Sequence, residues 1–415
     1  MGESNFVNKN SGSYPIAKRT QGFVKFDVIL VIIVIALVTL GLVMVYSSSW
    51  YFSILAENNT SYAVTRQALL LIFGIVSAVV VSQIDYHKYQ NLALLILFAS
   101  GVMLVAVLFT TPNEFGAKRT LFGGSVQPSE LAKLATVIYL SVWLYSKREN
   151  LNNIFFGLVP LAVIIAVVAS LILSEPDLSA ALTIVVLGGI LFYMANAELR
   201  QIIIVILLIL LAGFVVINLY SNGKSRIIEY WNGLQDPTSA SDHMKFSIRA
   251  IVEGGLFGKG LGKGSIKILG LPVAWTDSIF AVIAEELGLV GAGAVLFMYM
   301  IFMWRGLKIA QKAPDELGKI LAGGLTLWIT WEAVINMGVM VNVFPFAGNA
   351  LPLISTGGSN LVTVLIAIGI LLNISRAGNT EAANQTRRSP GAFNRVRRRN
   401  GRRRVSSAHR PTNAG

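Results

Sequence analysis

Apolar residues dominate this chain in long runs that polar segments separate. Crossing a bilayer as an α-helix takes about 20 mostly apolar residues. Ten runs come close to that length, at residues 28–46, 67–84, 91–110, 130–146, 154–173, 178–196, 201–219, 279–303, 319–341 and 353–374. The pattern therefore predicts an all-α polytopic membrane protein with about ten transmembrane helices. Because the number of spans is even, both termini are expected on one side of the membrane.

Polar segments divide the chain into three parts. Residues 1–27 form a polar N-terminal segment, residues 28–374 the membrane domain, and residues 375–415 a tail. The tail is rich in Arg and poor in apolar residues, so we expect it to be disordered. The loop at residues 220–278, between the seventh and eighth spans, far exceeds the usual connection of about 4–6 residues. Its aromatic and apolar residues predict that part of it is ordered.

Composition supports this class and excludes others. The chain is 54% hydrophobic and 13% charged, whereas soluble proteins are about 25% charged, so a soluble globular protein is excluded. Eleven Arg and a single acidic residue, Glu381, lie from Arg376 to the end. Most of the net charge of +13 therefore belongs to the tail and does not indicate a nucleic-acid-binding domain. The chain has no Cys, which excludes disulfides and thiolate chemistry.

Lys and Arg residues in the short loops predict the orientation. The N-terminal segment contains Lys9, Lys18, Arg19 and Lys25. The loop after the first span has only Arg66, and the Arg-rich tail lies on the N-terminal side. We therefore expect both termini in the cytoplasm and the 220–278 loop outside. We expect the tail arginines to bind anionic lipid at the inner leaflet. The alternative interpretation is that they bind a protein partner.

Ionisable residues at the ends of apolar spans are costly, and they are candidates for function. They cluster on the predicted outer side. Pro128 and Ser129 are typical of a helix start, Glu130 follows in the first turn, and Lys133 lies on the same face, about one turn deeper. An ordinary i,i+3 ion pair is the alternative interpretation.

Four other carboxylates lie on the same side. Asp177, in the turn between the fifth and sixth spans, and Asp277, before the eighth, could be functional groups or only helix caps. Glu285 and Glu286 lie on the eighth span, about 12 Å along the helix from Asp277. Two adjacent carboxylates at that depth must face a polar cavity, face a cation or bind a proton.

Basic residues accompany these carboxylates. Lys118 and Arg119 precede the fourth span, and the glycine-rich segment 254–264 contains two further lysines. That segment could cradle a phosphate or be only a flexible loop. It fits no Walker A pattern. Carboxylates and cations at one membrane face suit an amphiphilic substrate with an anionic head, but do not distinguish an enzyme from a transporter.

The order of these motifs resembles that of the SEDS family of bacterial cell-wall proteins, the FtsW, RodA and SpoVE group, over about residues 26–377. The likeness is carried by Asn336 and by the segments 116–119, 127–133, 175–178, 254–262, 271–288 and 345–359. The Ser265–Lys267 segment and the Asn373–Arg376 end of the last span are more similar to the division branch, that of FtsW.

The resemblance implies a peptidoglycan glycosyltransferase that polymerises lipid II, an undecaprenyl-pyrophosphate-linked disaccharide peptide, at the division septum of the bacterial cytoplasmic membrane. Asp277 matches the family's essential acid and would be the base on the acceptor sugar hydroxyl. The candidates for binding the substrate and its pyrophosphate are Lys118, Arg119, Glu130, Lys133, Ser355 and Ser359. Asp177, Glu285 and Glu286 would form a further acidic site.

The resemblance also implies partners, namely a class B penicillin-binding protein and other division proteins. No cofactor is expected with certainty; a divalent cation stays open, because no closed ligand set can be identified. Glu175, Glu332 and His243 stand where family members usually carry Gln. A lipid II flippase and a non-catalytic scaffold for a transpeptidase are the alternative functions. The charge at the outer end of the spans favours the enzyme, since a flippase must open its polar cavity to both leaflets.

Overall fold

The computed structural model describes residues 26–57, 59–110, 119–121, 126–219, 221–236, 240–272 and 274–388. Within those ranges the chain forms thirteen α-helices and three short 3-10 or π turns. They are α1 (Val28–Glu57), α2 (Tyr62–Gln83), α3 (Tyr89–Val107), α4 (Pro128–Lys147), α5 (Val159–Leu173), α6 (Leu178–Met194), α7 (Leu199–Leu219), α8 (Ser221–Gln235), α9 (Asp242–Gly254), α10 (Ile266–Leu269), α11 (Ile279–Gln311), α12 (Glu316–Met340) and α13 (Gly358–Arg388).

Ten of these helices, α1–α7 and α11–α13, coincide with the ten predicted spans. By length and composition, seven stretches in the described part of the chain are apolar enough to cross a membrane, and two shorter apolar helices match α6 and α7. The remaining helix is α4, which carries Glu130 and Lys133. The prediction of an all-α polytopic membrane protein is confirmed.

Several helices continue beyond their predicted ends. Helix α1 runs on to Glu57, because the Ser48 and Ser49 hydroxyls donate to the Val45 carbonyl within the helix instead of breaking it. Helix α13 runs on to Arg388, so the start of the predicted disordered tail is helical. The rest of that tail, residues 389–415, and most of the N-terminal segment lie outside the described residues.

Helix α12 is the centre of the bundle. In its apolar window 83% of the residues are buried, compared with 17% in α2. Helix α12 packs against α11, α4 and α6, while α13 packs along α2. Gly369 permits close approach there, since a Cβ on it would lie 2.5 Å from the Ala78 carbonyl oxygen. The outer helices expose large apolar side chains such as Phe73 and Phe98, as a lipid-facing surface requires.

The long loop between α7 and α11 is partly helical, as expected. It forms α8, α9 and α10, and α9 packs against α11. The end of the bundle that carries these helices is called the loop end below. Helices α4, α6, α11 and α13 all begin at the loop end.

Candidate active site

A polar cavity of about 290 Å³ lies at the loop end, and is called the first cavity. The starts of α4, α6 and α13 converge on it, together with the segment that precedes α11. Six residues predicted from the sequence contribute to its wall, namely Arg119, Glu130, Lys133, Asp177, Asp277 and Ser359. Tertiary structure therefore brings together groups that are up to about 240 positions apart in the chain.

A buried charge cluster closes the inner side of the first cavity. Lys133 Nζ donates to Glu130 Oε1 at 2.9 Å and also pairs with Glu332 of α12. Asn360 Nδ2 donates to Glu130 Oε2 at 2.9 Å. The predicted i,i+3 ion pair is therefore present, but a second carboxylate shares its lysine. Because both carboxylates neutralise the ammonium group, Lys133 presents no net positive charge to the cavity.

Asp177 both caps a helix and lines the first cavity. Its Oδ1 accepts from the Ala180 amide at 3.1 Å, which is the N-cap bond of α6. Its Oδ2 accepts from Gln127 Nε2 at 3.2 Å and from Ser129 Oγ at 3.3 Å. The capping interpretation is confirmed for this residue. The same bonds tie the start of α4 to the start of α6.

Arg119 is held by the turn before α6. Its guanidinium donates to the carbonyl oxygens of Glu175, at 3.3 Å, and of Pro176. The Glu175 carboxyl oxygens are buried without a hydrogen-bond partner among the described residues. Burial raises the pKa of Glu175 to about 8, and the Asp177 charge adds to the shift. Glu175 is therefore protonated at neutral pH, so its carboxyl group does not neutralise the positive charge of Arg119.

Asp277 faces the first cavity with its carboxylate unpaired. Among the described residues no hydrogen bond or ion pair reaches this carboxylate, and the N-cap of α11 is Ser278. The capping interpretation of Asp277 is therefore wrong. Burial raises the pKa of Asp277 to about 6; the Asp177 charge adds to this shift, while Arg119 and Arg226 oppose it.

The backbone around Asp277 is fixed from two sides. Asn336 Nδ2 of α12 donates to the Asp277 carbonyl oxygen at 2.8 Å. Ser355 Oγ donates to the Thr276 carbonyl oxygen at 2.6 Å and accepts from the Leu351 amide at 2.8 Å. Ser355 therefore lies behind the cavity wall and positions the segment that carries Asp277.

The other predicted residues lie in different places. Ser359 Oγ, at the cavity wall, accepts from the Gln127 amide at 2.8 Å. Lys118 lies outside the described residues. Glu285 and Glu286 are fully buried in α11 and are absent from the described lining of the first cavity. The proposed further acidic site is therefore divided, because only Asp177 lies beside Asp277.

Glu285 and Glu286 instead anchor the glycine-rich segment. Glu285 Oε1 accepts from the Ser265 amide at 2.7 Å and from Lys259 Nζ at 3.0 Å. Glu286 Oε1 accepts from Lys267 Nζ at 2.6 Å, and its Oε2 accepts from Ser47 Oγ of α1 at 2.6 Å. Lys259 of the segment and Lys267 just after it are thus paired within the protein, so the segment is held against α11 and the flexible-loop interpretation does not describe it.

Sequence reasoning assigned no site role to three residues that build this site, namely Arg226, Glu332 and Asn360, and it named Asn336 only as a residue that carries the family resemblance. A charged Glu332 within an apolar span was a usable signal. Asn360 gave none, since an amide in a span is common in helix contacts. Arg226 is one of several basic residues in the long loop, and only the fold distinguishes it. In the described part of the chain, no group of three or more His, Asp or Glu residues could hold a metal ion.

A known protein family matches almost the same residues as the predicted membrane domain. The family model for cell cycle proteins of the FtsW, RodA and SpoVE type matches residues 28–380. A probable peptidoglycan glycosyltransferase FtsW of Trichlorobacter lovleyi is 36% identical over 371 residues, covering 87% of this chain and 96% of that protein. The stage V sporulation protein E of Bacillus subtilis is 34% identical, covering 84% of this chain and 97% of that protein.

Solved structures share the fold. A chain from a peptidoglycan synthase complex that coordinates polymerization and crosslinking aligns with a TM-score of 0.69 at 24% identity, covering 85% of this chain and 98% of its own length. The rod shape determining protein RodA of Thermus thermophilus gives 0.63 at 24%, with coverages of 85% and 98%. With the family model matched across all ten spans, this multi-pass membrane protein belongs to the FtsW, RodA and SpoVE family.

Proposed function

We propose that this protein is a peptidoglycan glycosyltransferase that polymerises lipid II, and that Asp277 is its catalytic base. The observation that carries the proposal is the unpaired Asp277 carboxylate, which faces a polar cavity at one end of the membrane bundle. The relatives named as glycosyltransferases FtsW cover nearly the whole chain, and this supports the reaction class.

The reaction requires a base beside the acceptor sugar hydroxyl. Asp277 Oδ takes the hydroxyl proton as the hydroxyl oxygen forms a bond to the anomeric carbon of the donor. The bond from that carbon to the diphosphate breaks, and undecaprenyl pyrophosphate leaves with the electron pair. A pKa near 6 keeps Asp277 ionised at neutral pH and makes it a better proton acceptor than an ordinary Asp.

The departing diphosphate needs positive potential. Lys133 supplies little, because Glu130 and Glu332 share its charge. Arg119 remains in the first cavity, and the amino-terminal ends of α4, α6 and α13 converge there with their positive dipole ends. We therefore assign diphosphate binding to Arg119 and these helix ends. We assign a structural role to Lys133, whose ion pair with Glu332 joins α4 to α12.

Orientation, location and partner are part of the proposal. The excess of Lys and Arg on the N-terminal side supports cytoplasmic termini, which places the loop end at the outer face of the cytoplasmic membrane. The similarity to FtsW proteins supports a role at the division septum with a class B penicillin-binding protein. Such a partner would crosslink the strands that this protein makes.

The test is polymerisation of labelled lipid II by the purified protein with its partner. We expect Asp277→Asn to insert, fold and bind the partner, yet to lose about 10²–10⁴-fold in rate, the usual contribution of a general base. Asp242→Asn is the matched control, since it removes an exposed carboxylate at the same end of the bundle. Near-normal polymerisation by Asp277→Asn would refute the assignment, and no polymerisation by the wild-type complex would refute the activity.

A further inference from the structure

A second cavity of about 280 Å³ lies beside Asp277 at the loop end. It is lined by Ser225, Arg226, Glu229, Ser241, His243 and Phe346. Helix α8 and the start of α9 provide all of these residues except Phe346, which comes from the segment between α12 and α13. Nothing in the reaction described above uses this cavity.

The walls of the second cavity are held in place. The His243 ring stacks on the Phe346 ring, with centroids 3.9 Å apart and an angle of 20° between the planes. The Arg226 guanidinium lies 5.4 Å from the Phe346 centroid. The Tyr230 hydroxyl donates to the Val343 carbonyl oxygen at 2.9 Å, which fixes α8 on the segment that carries Phe346.

The second cavity adjoins the catalytic carboxylate. Gly348 lies between them, since a Cβ built on it would be 3.5 Å from Asp277 Oδ2 and 3.7 Å from the Phe346 ring. Gly348 also lines the first cavity. In addition, His243 Nδ1 lies 3.3 Å from the Oγ of Ser278, the residue after Asp277. Asp277 therefore stands at the border between the two cavities.

The lining of the second cavity suits an uncharged ligand rich in hydroxyl and amide groups. Arg226 and Glu229 give it no net charge, and the two serines add hydroxyl groups. Burial lowers the pKa of His243 to about 4, and the Arg226 charge adds to the shift, so the imidazole is neutral at pH 7. Among the described residues no side chain pairs with the Glu229 carboxylate, which leaves it able to accept from ligand hydroxyl or amide groups.

We propose that the second cavity binds the acceptor saccharide, an N-acetylated hexosamine whose free hydroxyl reaches Asp277. This inference rests on the glycosyltransferase activity proposed above. A glycosyl transfer needs two saccharides, a donor and an acceptor, with one on each side of the base. The donor carries its diphosphate on the reacting carbon, so it belongs beside Arg119 and the helix ends of the first cavity. The reacting end of the acceptor is neutral and fits the second cavity.

Two lipid II analogues separate the roles. One has its acceptor hydroxyl blocked and can only donate; the other has a phosphonate carbon in place of the anomeric oxygen and can only accept. The wild-type complex should couple them once, and the concentration of each can be varied alone. We expect Glu229→Ala to raise the KM for the acceptor-only analogue about tenfold, as loss of a hydrogen bond to a charged group implies. The KM for the donor-only analogue and the rate at saturation should stay within about twofold.

Glu149→Ala is the matched control, because it removes an exposed carboxylate at the opposite end of the bundle, and it should change neither KM. An unchanged acceptor KM in Glu229→Ala, an increase confined to the donor KM, or a loss of rate at saturation with both KM values unchanged would each overturn the inference. Absence of coupling by the wild-type complex would instead refute the proposed function, so the two failures are distinguishable.

Discussion

At the scale of single residues, the site contrasts carboxylates that are bonded with one that is not. Asp177 accepts hydrogen bonds from a helix amide and three side chains. Glu130 and Glu332 share the Lys133 ammonium group. Asp277 has no such partner among the described residues, and its charge is disfavoured by burial and by Asp177. A carboxylate whose basicity is not reduced by hydrogen bonds is suited to accept a proton.

This difference predicts a pH dependence of the rate. The base must be ionised, and the pKa of Asp277 is about 6. Polymerisation should therefore be constant above about pH 7 and fall about tenfold per pH unit well below 6. Initial rates measured between pH 5 and 8, with partner binding checked at each pH, test this. A rate that is flat between pH 5 and 7 would contradict it.

The shifted pKa of Asp277 also predicts the direction in which Asp277→Asn changes the unfolding temperature. The folded state raises the pKa of Asp277 from 3.8 to about 6, so the folded chain binds the proton more tightly than the unfolded chain. Ionisation of Asp277 therefore costs stability above about pH 6, and that cost disappears below about pH 4. Asp277→Asn should consequently unfold at the same or a higher temperature than the wild type at pH 7. Its loss of activity then cannot come from misfolding.

At the scale of elements, the sequence predicted helices better than it predicted contacts. Apolar runs identified all ten spans, because the length of a bilayer-crossing helix is set by membrane thickness. Helix ends were less well predicted, as at α1, where the Ser48 and Ser49 hydroxyls bond inside the helix. Side-chain partners such as Glu332 with Lys133, or Asn336 with the Asp277 carbonyl, depend on which helices pack together. Helix periodicity does not contain that information.

The kink in α11 and the glycine-rich segment are mutually dependent. Gly288 has a φ of +69° and interrupts α11, and Gly258 has a φ of +77° directly beside it. The Lys259 amide donates to the Glu285 carbonyl oxygen at 3.0 Å, and the Leu289 amide donates to that of Gly255 at 2.9 Å. The backbone groups that lose their helical partners at the kink are therefore hydrogen-bonded to the glycine-rich segment.

Gly258→Ala should detach this segment. A Cβ at Gly258 would lie 2.2 Å from the Glu286 carbonyl oxygen, so backbone must move and the ion pairs to Glu285 and Glu286 should weaken. We expect hydrogen exchange of residues 255–271 to rise by at least tenfold. Gly262→Ala is the control, since its φ of +78° is nearly the same but its Cβ would meet nothing within 4 Å. Equal exchange in the two variants would show that backbone strain, and not the close contact, matters.

At the scale of the whole molecule, the two ends of the bundle differ in what their polar groups do. Helices α4, α6 and α13 begin at the loop end with their positive dipole ends beside the first cavity, and the second cavity lies there too. The opposite end carries ion pairs such as Asp27 with Arg305, which hold helices together. Both polar cavities found among the described residues lie at the loop end, and this favours an enzyme that works at one membrane face over a transporter that opens to both.

Orientation is the whole-molecule property on which that argument depends. The chain contains no Cys, so single cysteines can report each end without background labelling. Lys263→Cys lies at the loop end and Asn150→Cys at the opposite end, and both positions are exposed. With intact spheroplasts, an impermeant thiol reagent should label Lys263→Cys and leave Asn150→Cys unlabelled until the membrane is opened. The reverse pattern would place the Asp277 cavities in the cytoplasm. Lipid II exposed on the outer leaflet could then not be the substrate, because it could not reach the base.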